Sequence, residues 1–168
     1  GDGMNSLVSA LTFGPDGSLY AGGGFHTAGG VTVNYIARWD GMQWHPLGSG
    51  RDEHVLALAF GPDGSLYAGN NRGVARWDGA PWSPLGNGLD AGTVYALALD
   101  ASGTLYAGGS FTAAGGHSTQ RIARWDGDAW TGLGSGMNGT VQALAFDSQG
   151  NLFGGGAFTT AGGKASAR

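Results

Sequence analysis

The sequence contains no cysteine, one lysine and one glutamate, and only 12% of its 168 residues are charged. The absence of cysteine excludes disulfide bonds, thiolate metal sites and a cysteine nucleophile. The formal net charge is −4 and no basic patch is present, so we expect no nucleic-acid partner. No apolar stretch approaches the ~20 residues that a membrane-spanning helix needs, so we expect no membrane insertion.

Glycine is abundant instead, at 36 of 168 residues, well above the usual ~7%. These glycines recur at fixed offsets beside aromatic and apolar residues, which is not typical of a disordered chain. The hexapeptide Ile-Ala-Arg-Trp-Asp-Gly occurs at Ile36–Gly41 and at Ile122–Gly127, and Val74–Gly79 differs only in its first residue. The chain is therefore a tandem array of one supersecondary unit.

Four units align on valines that stand 47, 39 and 47 residues apart, namely Val8, Val55, Val94 and Val141. The predicted units span residues 4–49, 50–87, 88–135 and 136–168, and the last of them is partial. The second unit is short because it lacks a glycine-rich segment between Gly69 and Val74. A length change confined to one place predicts a surface loop at this point of the repeat.

The second unit shows the predicted strands most clearly. Val55–Phe60 is short, apolar and followed by the turn sequence Gly-Pro-Asp-Gly, which favours a buried strand over a helix. We predict further strands at Leu66–Ala68, Val74–Trp77 and Trp82–Leu85, the last interrupted by a proline as in an edge strand. No segment sustains a 3.6-residue period, so we expect almost no helix.

Four short strands in each tandem unit predict an all-β fold, a β-propeller with four-stranded antiparallel blades. A single blade cannot bury both of its faces, so the blades must stack on their neighbours. The chain holds about three and a half such blades. We expect the array to be completed either by self-association, most simply as a dimer that closes a ring, or by the rest of a longer chain.

The second unit resembles a WD40 repeat, because its first strand precedes a Pro-Asp-Gly turn and its third strand ends in Trp77-Asp78. The long units, with Gly22–Gly30 and Gly108–Gly116, are similar to the repeat arrays of bacterial secreted and surface proteins, which include Kelch-like and hyalin-type repeats. This resemblance implies a propeller fold and a secreted or cell-surface location in a bacterium. It implies little about function, because propellers host many activities.

The repeated Arg-Trp-Asp triplets are interpreted as structural. We expect each tryptophan to pack between blades, each aspartate to accept hydrogen bonds from turn amides, and each arginine to pair with a carboxylate or a carbonyl. A sugar-stacking role for the tryptophans is the alternative. The nine residues are Arg38, Trp39, Asp40, Arg76, Trp77, Asp78, Arg124, Trp125 and Asp126.

The long loops and the segments that enter each first strand are predicted to share one face. That face would present aromatic and hydrogen-bonding groups suited to a polar, ring-shaped ligand such as a glycan. The candidate ligand-binding residues are Asn5, Phe25, His26, Phe111 and Asn138. The phenylalanines recur at one repeat offset, so they have a second interpretation as loop anchors.

The most specific function that these patterns support is a non-enzymatic binding scaffold for a glycan or a protein on the loop face. The alternatives are a purely structural, self-assembling module and a propeller lyase or hydrolase. No catalytic residue, cofactor or metal is predicted, because the four histidines occupy four different repeat offsets and the inner strands are mostly apolar.

Overall fold

A computed structural model describes residues 3–79, 81–86, 88–90 and 92–165. The described residues form strands, turns and bends, with no helix among them. The predicted unit boundary at Asn87 and the final residues 166–168 of the fourth unit lie outside the described residues.

The first three units each fold into a four-stranded antiparallel sheet, which we call blades 1 to 3. Blade 1 consists of β1 (Val8–Phe13), β2 (Leu19–Gly23), β5 (Ile36–Trp39) and β6 (Trp44–Pro46). Blade 2 consists of β7 (Ala57–Phe60), β8 (Leu66–Asn70), β9 (Gly73–Trp77) and β10 (Ser83–Pro84). Blade 3 consists of β12 (Val94–Leu99), β13 (Leu105–Gly109), β16 (Ile122–Trp125) and β17 (Trp130–Gly132).

The fourth unit forms a two-stranded sheet, blade 4, from β18 (Val141–Phe146) and β19 (Leu152–Gly156). The prediction of an all-β chain with four-stranded antiparallel blades and a partial last blade is confirmed. The first strands of successive blades lie side by side, β1 next to β7, β7 next to β12 and β12 next to β18. The blades therefore stack through their inner strands, as in a propeller.

The predicted long loops contain short hairpins that the sequence analysis did not foresee. They are β3 (Thr27–Ala28) with β4 (Val31–Thr32), β14 (Ala113–Ala114) with β15 (His117–Ser118), and β20 (Thr160–Ala161) with β21 (Lys164–Ala165). In the third unit a further strand, β11 (Leu89–Asp90), pairs with β14. Each two-residue strand is too short to show an alternating pattern, so the sequence gives little signal for it.

The first strand of blade 2 begins later than predicted, at Ala57 instead of Val55. The amide of Val55 donates to the carbonyl of Gly23 in blade 1, at 3.3 Å, and so leaves the ladder of its own blade. The other first strands show a register shift at the matching place, for example between Val94 and Ala96. The valine of each repeat thus sits at an irregularity that turns it toward the preceding blade.

This valine packs on a glycine of the preceding blade at every junction between blades. Val55, Val94 and Val141 are fully buried. A Cβ added to the facing glycine would lie 2.7 Å from Cγ1 of Val94 at Gly69 and 2.5 Å from Cγ1 of Val141 at Gly108. Only glycine leaves room for this approach, because real Cβ atoms essentially never come so close.

The outer strands are joined by a second repeated contact. The indole Nε1 of Trp82 donates to the carbonyl of Leu47 in blade 1 at 3.3 Å, and that of Trp130 donates to the carbonyl of Leu85 in blade 2 at 3.0 Å. A buried indole N–H needs such an acceptor. Trp130 is 1% exposed, so this contact is part of the core between blades.

An aromatic contact lies between the valine–glycine contact and the tryptophan–carbonyl contact. The ring of Phe60 packs edge-on against Tyr20 of blade 1, with 4.9 Å between ring centroids, and Phe146 packs in the same way against Tyr106 of blade 3, at 5.1 Å. Edge-to-face pairs of this kind stabilise by about 0.5–1.5 kcal/mol beyond their buried area. The junction between blades 1 and 2 is therefore built from three layers: valine on glycine, aromatic on tyrosine, and tryptophan on a carbonyl.

The turns between first and second strands are closed by carboxylates. Asp16 accepts from the amide and hydroxyl of Ser18, at 3.1 and 2.8 Å, and Asp63 does the same with Ser65. In blade 4, Asp147 accepts from the side chain of Asn151 at 2.8 Å. These hydrogen bonds favour the ionised form, so the pKa values of Asp16 and Asp147 lie below the usual aspartate value.

Replacement of Gly108 by alanine tests the packing between blades. We expect Gly108→Ala to lower the free energy of unfolding by about 1–3 kcal/mol, because the new Cβ collides with Val141. Gly155 holds the same repeat position in blade 4, but the nearest atom to its added Cβ is Cβ of Ala143 at 3.8 Å. Gly155→Ala is the matched control and, measured on dilute chain in which no other blade covers blade 4, should change stability by less than about 0.5 kcal/mol. Equal losses in urea unfolding would contradict this account.

The turn carboxylates predict a loss of stability in acid. A folded-state pKa below the unfolded one means that the carboxylate stabilises the fold above its ordinary pKa, and that this stabilisation disappears as the pH falls through the lowered value. We expect the urea midpoint to fall steadily below about pH 4. Asp147→Asn should lower the midpoint at pH 7 and flatten its dependence on pH. A variant with the same acid slope as the parent chain would exclude this role for Asp147.

Candidate ligand-binding face

The hairpins of the long units gather at one end of the blades. The segments that enter the first strands bind to them: Met4 bridges to Ala28 in blade 1, and Met137 bridges to Ala161 in blade 4. We call this end the loop face. The structure therefore brings together the two kinds of loop that the sequence analysis assigned to one face.

Two asparagines hold these loops in place. Oδ1 of Asn5 accepts from the amides of His26 and Thr27, at 2.9 and 3.0 Å. Oδ1 of Asn138 accepts from the amides of Thr159 and Thr160 at the same two distances. Asn5 and Asn138 were both predicted to contact a ligand, but the side-chain oxygen of each accepts hydrogen bonds from loop amides. The two asparagines play the same part in blades 1 and 4.

Phe25 and Phe111 lie beneath the loops. Both side chains are 0% exposed, and each packs in the core of its own blade, Phe25 with Ala28 and Val33, and Phe111 with Ala114. A ligand on the loop face cannot reach either ring, because the hairpin covers it. The burial of both rings favours the anchoring interpretation for these two residues over a ligand contact.

His26 is the one aromatic candidate that the structure exposes on this face. Its ring packs against Tyr35, with 4.5 Å between ring centroids and 59° between the ring planes. Tyr35 was not among the residues predicted from the sequence. The equivalent position of the third unit is an arginine, Arg121, so the tyrosine is not part of the shared repeat. The sequence carries one signal for Tyr35, which is its departure from the repeat at a loop position. Residues shared by the repeats serve the packing that the repeats share, so a residue found in one unit only is a candidate for a role specific to that unit.

The backbone under this pair is strained. Asn34 and Tyr35 have φ angles of 48° and 69°, in the left-handed region that disfavours residues other than glycine. The amide of Tyr35 donates to the carbonyl of Phe25 at 2.7 Å, and the side-chain amide of Asn34 donates to the carbonyl of Ser49 at 3.0 Å. Arg121 shares this conformation at φ 63°, so the backbone shape belongs to the repeat, while the tyrosine ring is specific to blade 1.

Charged groups also lie in the loops of blade 2. Nη2 of Arg72 lies 2.9 Å from Oε1 of Glu53. The guanidinium of Arg51 lies 5.0 Å from the ring centroid of Trp82, and burial lowers its pKa below the usual arginine value. The loop face therefore combines an aromatic pair with donors and acceptors of both charge signs.

The Arg-Trp-Asp triplets occupy the third strands and the turns that follow them. Asp40 accepts from the amides of Met42 and Gln43, and Asp126 accepts from those of Asp128 and Ala129, so the pKa of each carboxyl is lowered mainly by amide hydrogen bonds. Each tryptophan stacks obliquely on the outer-strand tryptophan of its own blade, with ring centroids 5.4–5.5 Å apart. These pairs are Trp39–Trp44, Trp77–Trp82 and Trp125–Trp130.

The arginines of the triplets lie within their own blades and are partly exposed. Arg76 donates from Nε to Ser65 at 2.9 Å and from Nη2 to Asp63 at 3.0 Å. Arg38 donates to Ser18 at 3.2 Å, and Arg124 donates to the hydroxyl of Thr131 at 3.2 Å. Asp78, the carboxylate of the triplet in blade 2, has an interaction partner as well.

An open groove between blades 2 and 3 was not foreseen from the sequence. It has a volume of about 300 Å³, and its lining includes Asp63, Tyr67, Arg76, Trp125 and Asp126. An indole face beside a guanidinium and carboxylates can stack on and hydrogen-bond a sugar ring. The sequence could not reveal the groove, because its walls come from two units that meet only in the folded chain.

Within residues 3–79, 81–86, 88–90 and 92–165, no three histidine, aspartate or glutamate side chains converge on a possible metal position. Four polar residues of the inner strands could serve an enzyme. Of these, Thr12 is half-buried, and Ser9, Tyr95 and Gln142 are exposed. No helix in the described part of the chain is long and apolar enough to span a membrane.

Substitution of Asn5 tests the clamp on the first hairpin. Asn5→Ala removes the acceptor of the His26 and Thr27 amides, so we expect amide hydrogen exchange at these two residues to rise on the order of 10-fold. Asn5→Asp keeps an acceptor oxygen and is the matched control, for which exchange should stay near the parent value. Unchanged exchange in the alanine variant would show that other contacts hold the hairpin.

Comparison with known proteins places the fold. No family model matches the chain, and no curated protein matches it. Among solved structures, the chain is similar to the extracellular domain of a protein assigned as a one-component system from B. thetaiotaomicron, with 14% identity and a TM-score of 0.65 over 90% of this chain and 20% of that one. It is also similar to a protein assigned as a gluconolactonase, with 19% identity and a TM-score of 0.63 over 92% and 56% of the two chains.

A third similar structure is that of the WD40 repeats of RRP9, with 17% identity and a TM-score of 0.58 over 85% of this chain and 43% of that one. The chain thus spans between one fifth and just over half of the length of these three structures. At such identities the likeness concerns the fold alone. The chain has the architecture of part of a β-propeller, shared by WD40 repeats and by bacterial extracellular domains.

Proposed function

We propose that the chain is a non-enzymatic β-propeller module that binds a glycan through its loop face. The observation that carries this proposal is the exposed ring of His26, which packs at a tilt of 59° against Tyr35 and is held by the Asn5 clamp on its backbone. A tilted aromatic pair on a fixed backbone provides a rigid surface on which a sugar ring can pack at small entropic cost. Arg72 and Glu53, which pair at 2.9 Å in the loops of blade 2, are charged groups that can bind hydroxyls.

A bacterial secreted or surface location fits this role, and it is part of the proposal. It is supported by the structural likeness to an extracellular domain from B. thetaiotaomicron. We further propose that other blades complete the ring, supplied by a second copy of the chain or by a longer chain. The likeness to structures of which this chain spans only part supports this point.

Two other functions remain as alternatives to be tested. A purely structural module would assemble without binding a ligand on the loop face. A lyase or hydrolase is supported by likeness in fold to a protein assigned as a gluconolactonase and to virginiamycin B lyase from Staphylococcus aureus, and fold alone does not carry an activity to another chain. The binding function is preferred because the pair on the loop face offers an aromatic surface and hydrogen-bonding groups, whereas no three histidine, aspartate or glutamate side chains of the described residues form a metal site.

A glycan-array screen of the folded chain tests the binding function. We expect a defined set of glycans to bind, and His26→Ala to weaken their binding on the order of 10-fold through loss of the stacking surface. His117→Ala is the matched control, since His117 is also exposed on a hairpin but lies in blade 3. Binding that survives His26→Ala and is lost in Arg76→Ala would assign the ligand to the groove between blades 2 and 3. Silence across the array, with assembly in solution, would favour the structural alternative.

A further inference from the structure

The groove between blades 2 and 3 lies at the end of the blades opposite to the loop face. Its walls include two turns that follow first strands, through Asp63 and Ser102, and one turn that follows a third strand, through Asp126. In an antiparallel sheet of this order these turns share one end, and the hairpins that follow the second strands lie at the other end. The groove is therefore a site separate from His26 and Tyr35.

The contacts of Tyr67 in this groove depart from the repeat. In blade 3, the ring of Tyr106 packs against a phenylalanine of the next blade, and its hydroxyl donates to Asp100 at 3.3 Å. Among the described residues, Tyr67 has neither partner. The residue that would supply the ring is Leu99, and the residue that would supply the carboxylate is Gly61.

The hydroxyl of Tyr67 needs a partner from outside the chain. Tyr67 is only 9% exposed, and its hydroxyl forms no hydrogen bond with a described residue. Burial, together with the nearby carboxylate of Asp63, raises the pKa of Tyr67, so the phenol stays protonated and can donate. A buried phenol hydroxyl is usually hydrogen-bonded. Because Tyr67 lines the groove, an occupant of the groove can supply the acceptor.

The charges of the groove favour a cation. Its lining carries two carboxylates and one guanidinium, and the guanidinium, of Arg76, is already paired with Asp63 at 3.0 Å. The other carboxylate belongs to Asp126, whose Oδ1 accepts from two turn amides that lower the pKa of this group, so it is ionised at neutral pH. Its Oδ2 forms no hydrogen bond with a described residue. The indole of Trp125, which also lines the groove, attracts cations as well.

The rest of the lining suits a single sugar ring. The volume of about 300 Å³ is at the small end of the ~300–1,000 Å³ range of ligand pockets. Leu85 adds an apolar contact to that of Trp125. Across the groove, the hydroxyl of Ser102 donates to Asp100 at 2.6 Å and lies 3.0 Å from that of Thr104. The oxygen of Ser102 keeps acceptor capacity, so it can bind a sugar hydroxyl.

We propose that this groove binds a hexosamine, a sugar ring that carries a free ammonium group. The ring packs on Trp125, the ammonium binds the carboxylate of Asp126, and a sugar oxygen accepts from the hydroxyl of Tyr67. A simple alkylammonium ion would leave the Tyr67 hydroxyl without an acceptor, and a neutral sugar would leave the charge of Asp126 uncompensated. This site goes beyond the proposed function, because it neither uses the loop face nor depends on it.

Nuclear magnetic resonance titration of the folded chain tests the proposal, with the indole N–H signals as reporters. The chain has six tryptophans, and Trp125→Phe identifies the signal of Trp125 by its disappearance. We expect glucosamine to shift this signal and to bind about 5-fold more tightly than glucose, because the ammonium forms a charge-assisted hydrogen bond. We expect n-butylammonium, which has the charge without the ring, to bind more weakly than glucosamine.

Three results of this titration would overturn the proposal. They are an unmoved Trp125 signal at every soluble concentration of glucosamine, equal binding of glucose and glucosamine, and equal binding of n-butylammonium and glucosamine. The last of these would show a site for an ammonium group of any kind, such as a lysine side chain, in place of a sugar site.

Substitution of Asp126 tests the contact with the ammonium group. Asp126→Asn keeps an oxygen for the turn amides and removes the charge, so it should abolish the preference for glucosamine over glucose. Asp40→Asn is the matched control, because Asp40 accepts from the amides of the equivalent turn in blade 1 and does not line the groove. An Asp126→Asn chain that keeps the whole preference would contradict the assigned contact.

Substitution of Tyr67 tests the hydroxyl contact. Tyr67→Phe should weaken the binding of glucosamine and glucose alike, by about 3-fold or more, through the loss of one hydrogen bond. The fold should persist, since Phe153 holds the equivalent position in blade 4, and far-ultraviolet circular dichroism verifies this. Tyr20→Phe is the matched control in blade 1 and should leave the titration of the Trp125 signal unchanged. Unchanged affinity in Tyr67→Phe would exclude the hydroxyl contact, whereas the glycan-array result for His26→Ala is independent of all these outcomes.

Discussion

The close approach of a valine to a glycine at each junction between blades is the contact on which the rest of the structure depends. Val94 over Gly69 and Val141 over Gly108 bring successive inner strands side by side. At this separation the aromatic layer and the outer tryptophans can reach the neighbouring blade. A side chain at the glycine would hold the blades apart and would disconnect both outer layers, so a small backbone position sets the geometry of the whole array.

The same constraint explains why the blades are unequal in exposure although they are similar in sequence. A residue such as the first-strand valine is fully buried where a glycine faces it and half exposed where none does. Apolar area removed from water contributes roughly 25 cal/mol per Å², so each covered face stabilises the array. The stability of the array therefore comes from one surface that is repeated from blade to blade.

The loop face departs from the repeat, and its departures are where a ligand-binding role finds support. The asparagine clamps and the buried phenylalanines are shared between units and hold the hairpins, whereas Tyr35 beneath His26 occurs in blade 1 only. The strained backbone at Asn34 and Tyr35 persists because hydrogen bonds on both sides fix it. The scaffold that the repeats share thus carries, at one rim, side chains that only one blade has. In this way proteins with the same propeller fold come to serve different functions.

The sequence by itself determined the all-β fold, the four-strand unit and the aspartate-closed turns, because these follow from local periodicity, turn chemistry and tandem repetition. Only the tertiary structure decided that Phe25 is covered, that the oxygen of Asn5 is engaged, that the long loops contain hairpins, and that a groove opens beside Arg76. The physical reason is distance along the chain. The exposure and hydrogen-bond partners of these side chains are set by residues about 15 to 45 positions away, or in the next blade, and no local pattern records which of them will be neighbours.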